Sequence, residues 1–260
     1  MSIQFVLSLI TGIFIGGAAG YLGCLMLTKR MALVAGPLGH LTLPGIALGL
    51  IYGFDISLGA FPFVILGIIL IWLFELRTKL PMEALTAIVF AIGVASAFLF
   101  LPIEQAEQAL VGDISRVGFW ETVISVFLAL LIFVLVKKIF SKMILINVSE
   151  DLAKTEGINI KKYNLIYLLC VAVIVALGVK LVGALLTAAM VAIPASAARI
   201  LSITAKKYVL LALSFGAISA VFGILLSNII NFPAGPLIVL TNGFCFLVAL
   251  VFKKAKIISE

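Results

Sequence analysis

The sequence predicts an all-helical protein that crosses a membrane about nine times, and three observations support this fold class. First, 64% of the 260 residues are hydrophobic and only 11% are charged, whereas the average protein contains about 25% charged residues. Second, apolar runs of 17 or more residues recur along the chain, and each can cross a hydrocarbon layer about 30 Å thick. Third, backbone groups at that depth find no water, so such runs must form helices packed on one another.

Nine apolar runs are counted as spans. They are 3–27, 31–53, 57–74, 82–101, 118–136, 163–179, 181–201, 207–230 and 234–252. An odd number places the two termini on opposite sides of the membrane. Cytoplasmic loops collect Lys and Arg, so the lysine-rich loop 137–162 is assigned to the cytoplasm. Sixteen of the eighteen basic residues then lie inside, which predicts an outer N-terminus and a cytoplasmic C-terminus.

The predicted outer surface is acidic. It carries Asp55, Glu104, Glu107, Asp113 and Glu121 against Arg116 and Lys180, so five acids and two bases give a net charge of −3. A negative mouth concentrates cations, but the orientation rule alone also leaves acidic residues outside, and both interpretations stay open. Segment 102–117 looks amphipathic and is a candidate outer gate. The net charge of +7 needs no nucleic-acid partner, because most Lys and Arg lie at span ends and in inner loops.

The second predicted span holds His40, the only histidine of the chain. It lies about 14 Å past the inner boundary at 1.5 Å per residue, near the middle of the membrane. Glycines at four-residue spacing in the first two spans predict close helix contacts: Gly12, Gly16 and Gly20, then Gly45, Gly49 and Gly53. On a continuous helix His40 would point about 140–180° away from the second glycine ridge, toward lipid or a cavity.

Pro44 provides a second indication at this position. A proline inside a helix removes the hydrogen bond to the carbonyl four residues earlier, which here belongs to His40. Position 40 would then offer both an imidazole and an unpaired backbone oxygen, and broken helices at mid-membrane are typical of transporter binding sites. Two interpretations stay open: a ligand in a transport pathway, or a histidine hydrogen-bonded to a neighbouring helix.

The stretch SEDLAKTEGIN, 149–159, predicts a short helix on the cytoplasmic face. Ser149 is a plausible N-cap, Glu150 and Asp151 suit the positive end of the helix dipole, and Gly157 can end the helix. The segment either connects two spans or docks a cytoplasmic partner.

Several functional classes are disfavoured. No GxxxxGK[ST] motif occurs, so the chain cannot bind ATP through a P-loop. No carboxylate lies deep in a span, which argues against a self-sufficient ion-coupled carrier. No nucleophile–base pair or hydrolytic metal site predicts an enzyme, and no intrinsic cofactor is expected. The three isolated cysteines are interpreted as packing residues.

Four stretches together resemble the membrane permeases of ABC importers for zinc, manganese and iron. They are RMALVAGPLGHLTLPGIAL (30–48), ALVGDISRVG (109–118), SEDLAKTEGINIKKYNLIYLLCVAVIVALGVKLVGALLTAAMVAIPASAARIL (149–201) and NFPAGPLIVL (231–240). The resemblance covers nearly the whole chain, and VGALLTAAMVAIPASAARIL is its most specific part.

The resemblance implies one permease domain over 1–260 with a type II importer fold in the bacterial plasma membrane. It further implies a dimer of like or mixed chains, two cytoplasmic ATPase subunits that hydrolyse ATP, an extracytoplasmic metal-binding protein, and a divalent transition metal as cargo. Such importers receive the ATPase stroke through a coupling helix. The matching residues here are Glu150, Asp151, Leu152, Lys154 and Gly157.

The chain departs from this family at Gly36. The second span of such permeases usually reads RMALxGDALSHAxLPG, with an Asp four residues before the His, and the pair is thought to meet the metal. Imidazole suits zinc or iron, whereas manganese prefers oxygen ligands. The absence of the Asp therefore argues more strongly against manganese as cargo than against zinc or iron. A second His40, a partner's Asp, the His40 carbonyl, or Asn228 and Asn231 could substitute, although amides at helix ends are more often caps.

Two alternatives to a metal-ion importer follow from the missing carboxylate. The same importer architecture could carry a metal chelate or another small solute. Less favoured is a self-contained carrier or a non-transporting membrane scaffold, which would associate with no ATPase.

Overall fold

The computed structural model describes residues 3–52, 56–78, 80–99, 114, 117–184 and 186–259. These residues form eleven α-helices and no strands, which confirms the all-helical class. The helices are α1 (Ile3–Thr28), α2 (Ala35–His40), α3 (Leu43–Tyr52), α4 (Ile56–Thr78), α5 (Met82–Phe98), α6 (Phe119–Val148), α7 (Glu150–Thr155), α8 (Ile160–Val182), α9 (Thr187–Leu201), α10 (Ala205–Ile230) and α11 (Ala234–Ser259). A 3₁₀ turn, Ala32–Val34, leads into α2.

Six of these helices are long and apolar enough to cross a membrane: α1, α4, α6, α8, α10 and α11. Helices α5 and α9 are apolar but have only 17 and 15 residues. The second predicted span is divided between α2 and α3. Each of the nine predicted spans therefore contains helix, while the described residues provide six full-length spans.

Helix α1 lies at the centre of the bundle and packs against α6, α8, α9 and α10. A Cβ atom built on Gly16 would lie 2.5 Å from the carbonyl oxygen of Gly216 in α10, and Gly20 meets the backbone of Ala212 in the same way. Any side chain at these positions would force the two helices apart, so the glycine ridge of the first span is confirmed as a contact seam. On the outside, α6, α10 and α11 expose large apolar side chains such as Phe127, Leu210 and Phe244.

Helix α6 extends further than predicted. The sequence placed 137–148 in the cytoplasmic loop 137–162, but α6 continues without interruption to Val148. Thirty residues at 1.5 Å per residue give a helix of about 45 Å, which is longer than a hydrocarbon layer of about 30 Å. The exposed Lys137 and Lys138 lie on this extension, where long basic side chains can keep their charges in water. Outside α6 and α8, the connection between them consists only of α7 and its two flanking turns.

Candidate functional site

The chain breaks immediately after His40. Helix α2 ends at His40, the chain turns at Leu41 and Thr42, and α3 begins at Leu43. The Gly39 carbonyl oxygen accepts two hydrogen bonds from the buried Thr42, one from its hydroxyl at 2.6 Å and one from its backbone N–H at 3.2 Å. Pro44 lies in the first turn of α3, where its missing N–H is tolerated. The angle of 140–180° from the glycine ridge assumed a continuous helix, and it does not apply because the turn separates His40 from Gly45.

The His40 side chain is half-buried, and it lies against α5. Its ring centroid lies 5.7 Å from that of Phe90, with the two planes inclined at 52°. The imidazole makes no hydrogen bond to the described residues. The interpretation of His40 as a histidine hydrogen-bonded to a neighbouring helix therefore finds no support among the described residues.

Gly36 lies one helical turn before His40 and faces α9. A Cβ atom built on Gly36 would lie 3.4 Å from the Cβ of Ala188, which is an ordinary van der Waals contact. Among the residues that the structure describes, no group of three or more His, Cys, Asp or Glu could hold a metal ion. Helix α2 therefore offers a metal one imidazole, that of His40, and any further ligands would have to come from other segments or from a second chain.

The predicted outer-mouth residues Asp55, Glu104, Glu107 and Asp113 lie outside the described residues, as does most of the gate segment 102–117. Two apolar residues of that segment, Ile114 and Val117, are buried. The Ile114 carbonyl oxygen accepts a hydrogen bond of 2.8 Å from Ser8 of α1.

The two amides considered as extra oxygen ligands lie at the end of α10. Asn231 has a φ of 54° and occupies the left-handed position that ends the helix, as a capping asparagine does. Asn228 is exposed. Asn231 is therefore a helix cap, as is usual for an amide at a helix end.

The predicted short helix at 149–157 is present as α7, with both ends capped. The Ser149 hydroxyl accepts a hydrogen bond of 3.2 Å from the Leu152 N–H. At the other end Gly157 has a φ of +71°, and the Ile158 N–H donates to the Ala153 carbonyl oxygen at 2.9 Å. These are the N-cap and the glycine C-cap that the sequence predicted.

Helix α7 is anchored by one side chain and presents the others to the exterior. Ala153 is fully buried against the bundle, whereas Leu152 is 48% exposed. Glu150, Asp151 and Lys154 are also exposed, and the Lys154 ammonium lies 3.2 Å from the Asp151 carboxylate. The helix thus presents an apolar side chain, Leu152, among charged ones.

A partly buried series of polar contacts next to α7 could not be predicted from the sequence. The Lys29 ammonium donates to the Asn164 side-chain oxygen at 2.9 Å, and the Asn164 amide donates to the Glu75 carboxylate at 3.2 Å. Lys29 also lies 5.0 Å above the Tyr167 ring. Burial lowers the pKa of Lys29, while the carboxylates of Glu75 and Glu150 act in the opposite direction. These contacts connect the ends of α1, α4 and α8, and no sequence spacing relates residues so far apart.

Comparisons with known proteins agree over nearly the whole length. The ABC 3 transport family matches residues 3–253. A manganese import system permease protein, ScaB of Streptococcus gordonii, is 27% identical, with 93% of this chain and 88% of that protein covered. A high-affinity zinc uptake system membrane protein, ZnuB of Haemophilus influenzae, is 28% identical, with 96% and 97% covered. The solved structure of PsaBC from Streptococcus pneumoniae in complex with a Fab gives a TM-score of 0.81 at 26% identity, covering 96% of this chain and 91% of that one.

Proposed function

The chain belongs to the ABC 3 transport family, and we propose that it is the permease subunit of an ATP-driven importer of divalent transition-metal ions. The observation that carries this function is the nearly full-length similarity to both a manganese and a zinc permease. The chain is a multi-pass membrane protein of the bacterial inner membrane. Its cargo is a substrate and not a resident cofactor.

The proposed metal pathway passes the break after His40. The half-buried imidazole has no hydrogen-bond partner among the described residues, so it can bind a passing cation with either ring nitrogen. A second permease chain completes the coordination, with either its own His40 or a carboxylate. Because the usual carboxylate position is Gly36, we expect zinc or iron to be preferred over manganese.

The proposed topology has nine spans, an outer N-terminus and a cytoplasmic C-terminus. Pairings between distant residues support it. Glu121 and Lys180, both predicted outside, form an ion pair of 2.7 Å. Lys29 and Glu75, both predicted inside, meet through Asn164. A cysteine at 154 should react with an impermeant thiol reagent only from the cytoplasmic side; labelling from outside would overturn this orientation.

The proposed coupling surface is the exposed face of α7. Leu152 inserts into an apolar groove of a cytoplasmic ATPase subunit, while Glu150 and Asp151 contact its basic side chains. Movement of the ATPase displaces α7, which packs on α6 and α8. The chain of Lys29, Asn164 and Glu75 then transmits the displacement from α8 to α1 and α4. ATP is hydrolysed by the partner, and an extracytoplasmic binding protein delivers the metal.

Whole-cell metal content tests the cargo. Cells that express the chain with its partners should accumulate one transition metal, and His40→Ala should reduce that accumulation at unchanged protein level. Phe90→Leu is the matched control, since it removes the ring contact of His40 but leaves the imidazole. Equal losses in the two variants would identify His40 as a packing residue.

A further variant tests the missing carboxylate. Gly36→Asp should fit, since its Cβ would make only an ordinary contact with Ala188. It should shift uptake severalfold toward manganese, because a hard cation gains an oxygen ligand. Gly36→Asn adds similar bulk without the charge and should not cause this shift.

A metal chelate is the second candidate cargo. The observation that favours it is that the described residues contain no group of three or more His, Cys, Asp or Glu that could hold a bare metal ion. Unchanged content of every metal in the series above, together with uptake of a radiolabelled chelate, would favour this candidate.

A further inference from the structure

A cavity of about 470 Å³ lies between the ends of α1 and α9, the start of α10 and the side of α6. Its apolar wall includes Leu27, Phe140 and Ile144. Its polar lining includes Arg30, Arg199 and Ser202. The cavity is separate from the His40 break, and neither the pathway nor α7 uses it.

The electrostatics of this cavity favour an anion. Two guanidinium groups line it, and none of its lining residues is acidic. Arg199 is held in place over the ring of Tyr208, with 5.5 Å between the guanidinium carbon and the ring centroid. Ala205, the first residue of α10, also lines the cavity, so the positive end of a 26-residue helix adds to the field.

The backbone at Arg30 is a second, independent indication. Arg30 has a φ of 60° in a turn closed by the Met31 N–H, which donates to the Met26 carbonyl oxygen at 2.8 Å. This left-handed position after a helix is usually glycine, since other side chains are strained there. An arginine at such a position is explained if its side chain has a ligand to hold.

The surroundings indicate an amphiphilic anion. The cavity lies at the end of the bundle that collects the basic residues, where Ile203 is 80% exposed. From there α10 continues into an exposed apolar face that includes Leu210. We propose that this cavity binds the phosphate head group of an anionic phospholipid, with Arg30 and Arg199 on the phosphate and an acyl chain along α10. Basic pockets between transmembrane helices bind such head groups in other membrane proteins.

A small anion would use only part of this site, because free phosphate has no apolar group that could contact Leu27, Phe140 and Ile144. A zwitterionic lipid would bring a cationic group into a lining that has no carboxylate. The proposal does not depend on the cargo, so its failure would leave the proposed importer function untouched.

Native mass spectrometry of the purified full-length permease tests the site. The protein is exchanged into mixed micelles of phosphatidylglycerol and phosphatidylcholine, and retained lipid is counted. We expect preferential retention of phosphatidylglycerol, reduced about fivefold by Arg30→Gln and by Arg199→Gln separately. Arg77→Gln is the matched control, because Arg77 is also exposed, at the end of α4, but does not line the cavity, and it should leave retention unchanged.

A second variant guards against misfolding of the arginine variants. Ser202→Glu keeps both arginines and the Thr204 N-cap of α10. It replaces the hydroxyl that donates to the Arg199 carbonyl oxygen by a carboxylate in the lining, and it should abolish the preference. Equal retention of both lipids by the wild type, or equal losses in Arg77→Gln, would overturn the proposal.

Two further arms separate other ligands. Inorganic phosphate should not displace the lipid; complete displacement at millimolar concentration would identify a site for the free anion instead. Loss of ATPase copurification in Arg30→Gln and Arg199→Gln, with lipid retention intact, would identify the cavity as an ATPase contact and likewise overturn the proposal.

Discussion

Helices α2 and α7 both have six residues, yet they are stabilised in different ways. Helix α7 has a side-chain cap at Ser149 and a glycine cap at Gly157, and a salt bridge on its surface. Helix α2 has no side-chain cap at Val34, and its sequence AGPLGH contains two glycines and a proline, which are poor helix formers. Its conformation depends on neighbours: Gly39 lies against the backbone of Ala184, and Leu38 is fully buried.

The difference follows from what each helix is proposed to do. A helix that receives a mechanical stroke must keep its shape while its exposed face meets a partner, and local caps provide that stability. A helix next to a transport pathway gains from depending on its neighbours, since their movement can then reposition His40. Local stability of α7 and tertiary dependence of α2 beside the proposed pathway are thus complementary.

The largest expected effect is on α7. Deletion of 149–157 should abolish both ATPase copurification and uptake, because the exposed docking face is lost. Pull-down with a tagged ATPase subunit measures the first, and metal content measures the second. Thr155→Ala, on the exposed side of the same helix, is the control and should retain both; normal copurification of the deletion variant would refute the docking role.

The next largest effect is expected at the partly buried polar contacts of Lys29, Asn164 and Glu75 beside α7. Lys29→Met should lower the free energy of unfolding by about 1.5–3 kcal/mol, since it leaves Asn164 and the Glu75 carboxylate without their cation. Denaturant titration in detergent measures this loss. Lys142→Met is the control, because Lys142 pairs with Tyr163 at an exposed site, and it should change the free energy by less than about 0.5 kcal/mol. A similar loss of unfolding free energy in both variants would contradict the prediction that Lys29, which is less exposed than Lys142, contributes more to stability.

A pair of glycine substitutions tests the tertiary dependence of α2. A Cβ at Gly39 would lie 2.7 Å from the Ala184 carbonyl oxygen, whereas a Cβ at Gly36 makes only an ordinary contact. Gly39→Ala should therefore destabilise the protein by about 1–3 kcal/mol through overpacking. Gly36→Ala should be neutral or slightly stabilising, because alanine is the better helix former. Denaturant titration measures the free energy of unfolding of both variants. Equal values would argue against the dependence of α2 on the close contact at Gly39.

The smallest expected effect is at the N-cap of α7. Ser149→Ala should cost about 1 kcal/mol of local stability, which hydrogen exchange of the amides at 150–158 can detect as faster opening. Exchange in α2 should not change. Unaltered protection in α7 would mean that its packing through Ala153, and not its cap, fixes the helix.

The all-helical class and the caps of α7 follow from the sequence alone, because they depend on side chains within a few residues of one another. Apolar runs predict spans, Ser149 reaches the N–H of Leu152, and Gly157 adopts its own backbone conformation. The glycine ridge of α1 could be predicted as a contact seam, although not its partner α10.

Only the tertiary structure decided the surroundings of the polar groups. The chain of Lys29, Asn164 and Glu75 joins residues 135 and 89 positions apart. The contact of His40 with Phe90 likewise depends on how α2 packs against α5. A sequence pattern cannot specify these contacts between distant residues, because helix packing depends on the shapes of both helix surfaces. The break at Leu41 and Thr42 belongs here too: Pro44 signals an interruption, but the turn is fixed by the buried Thr42 and its bond to Gly39.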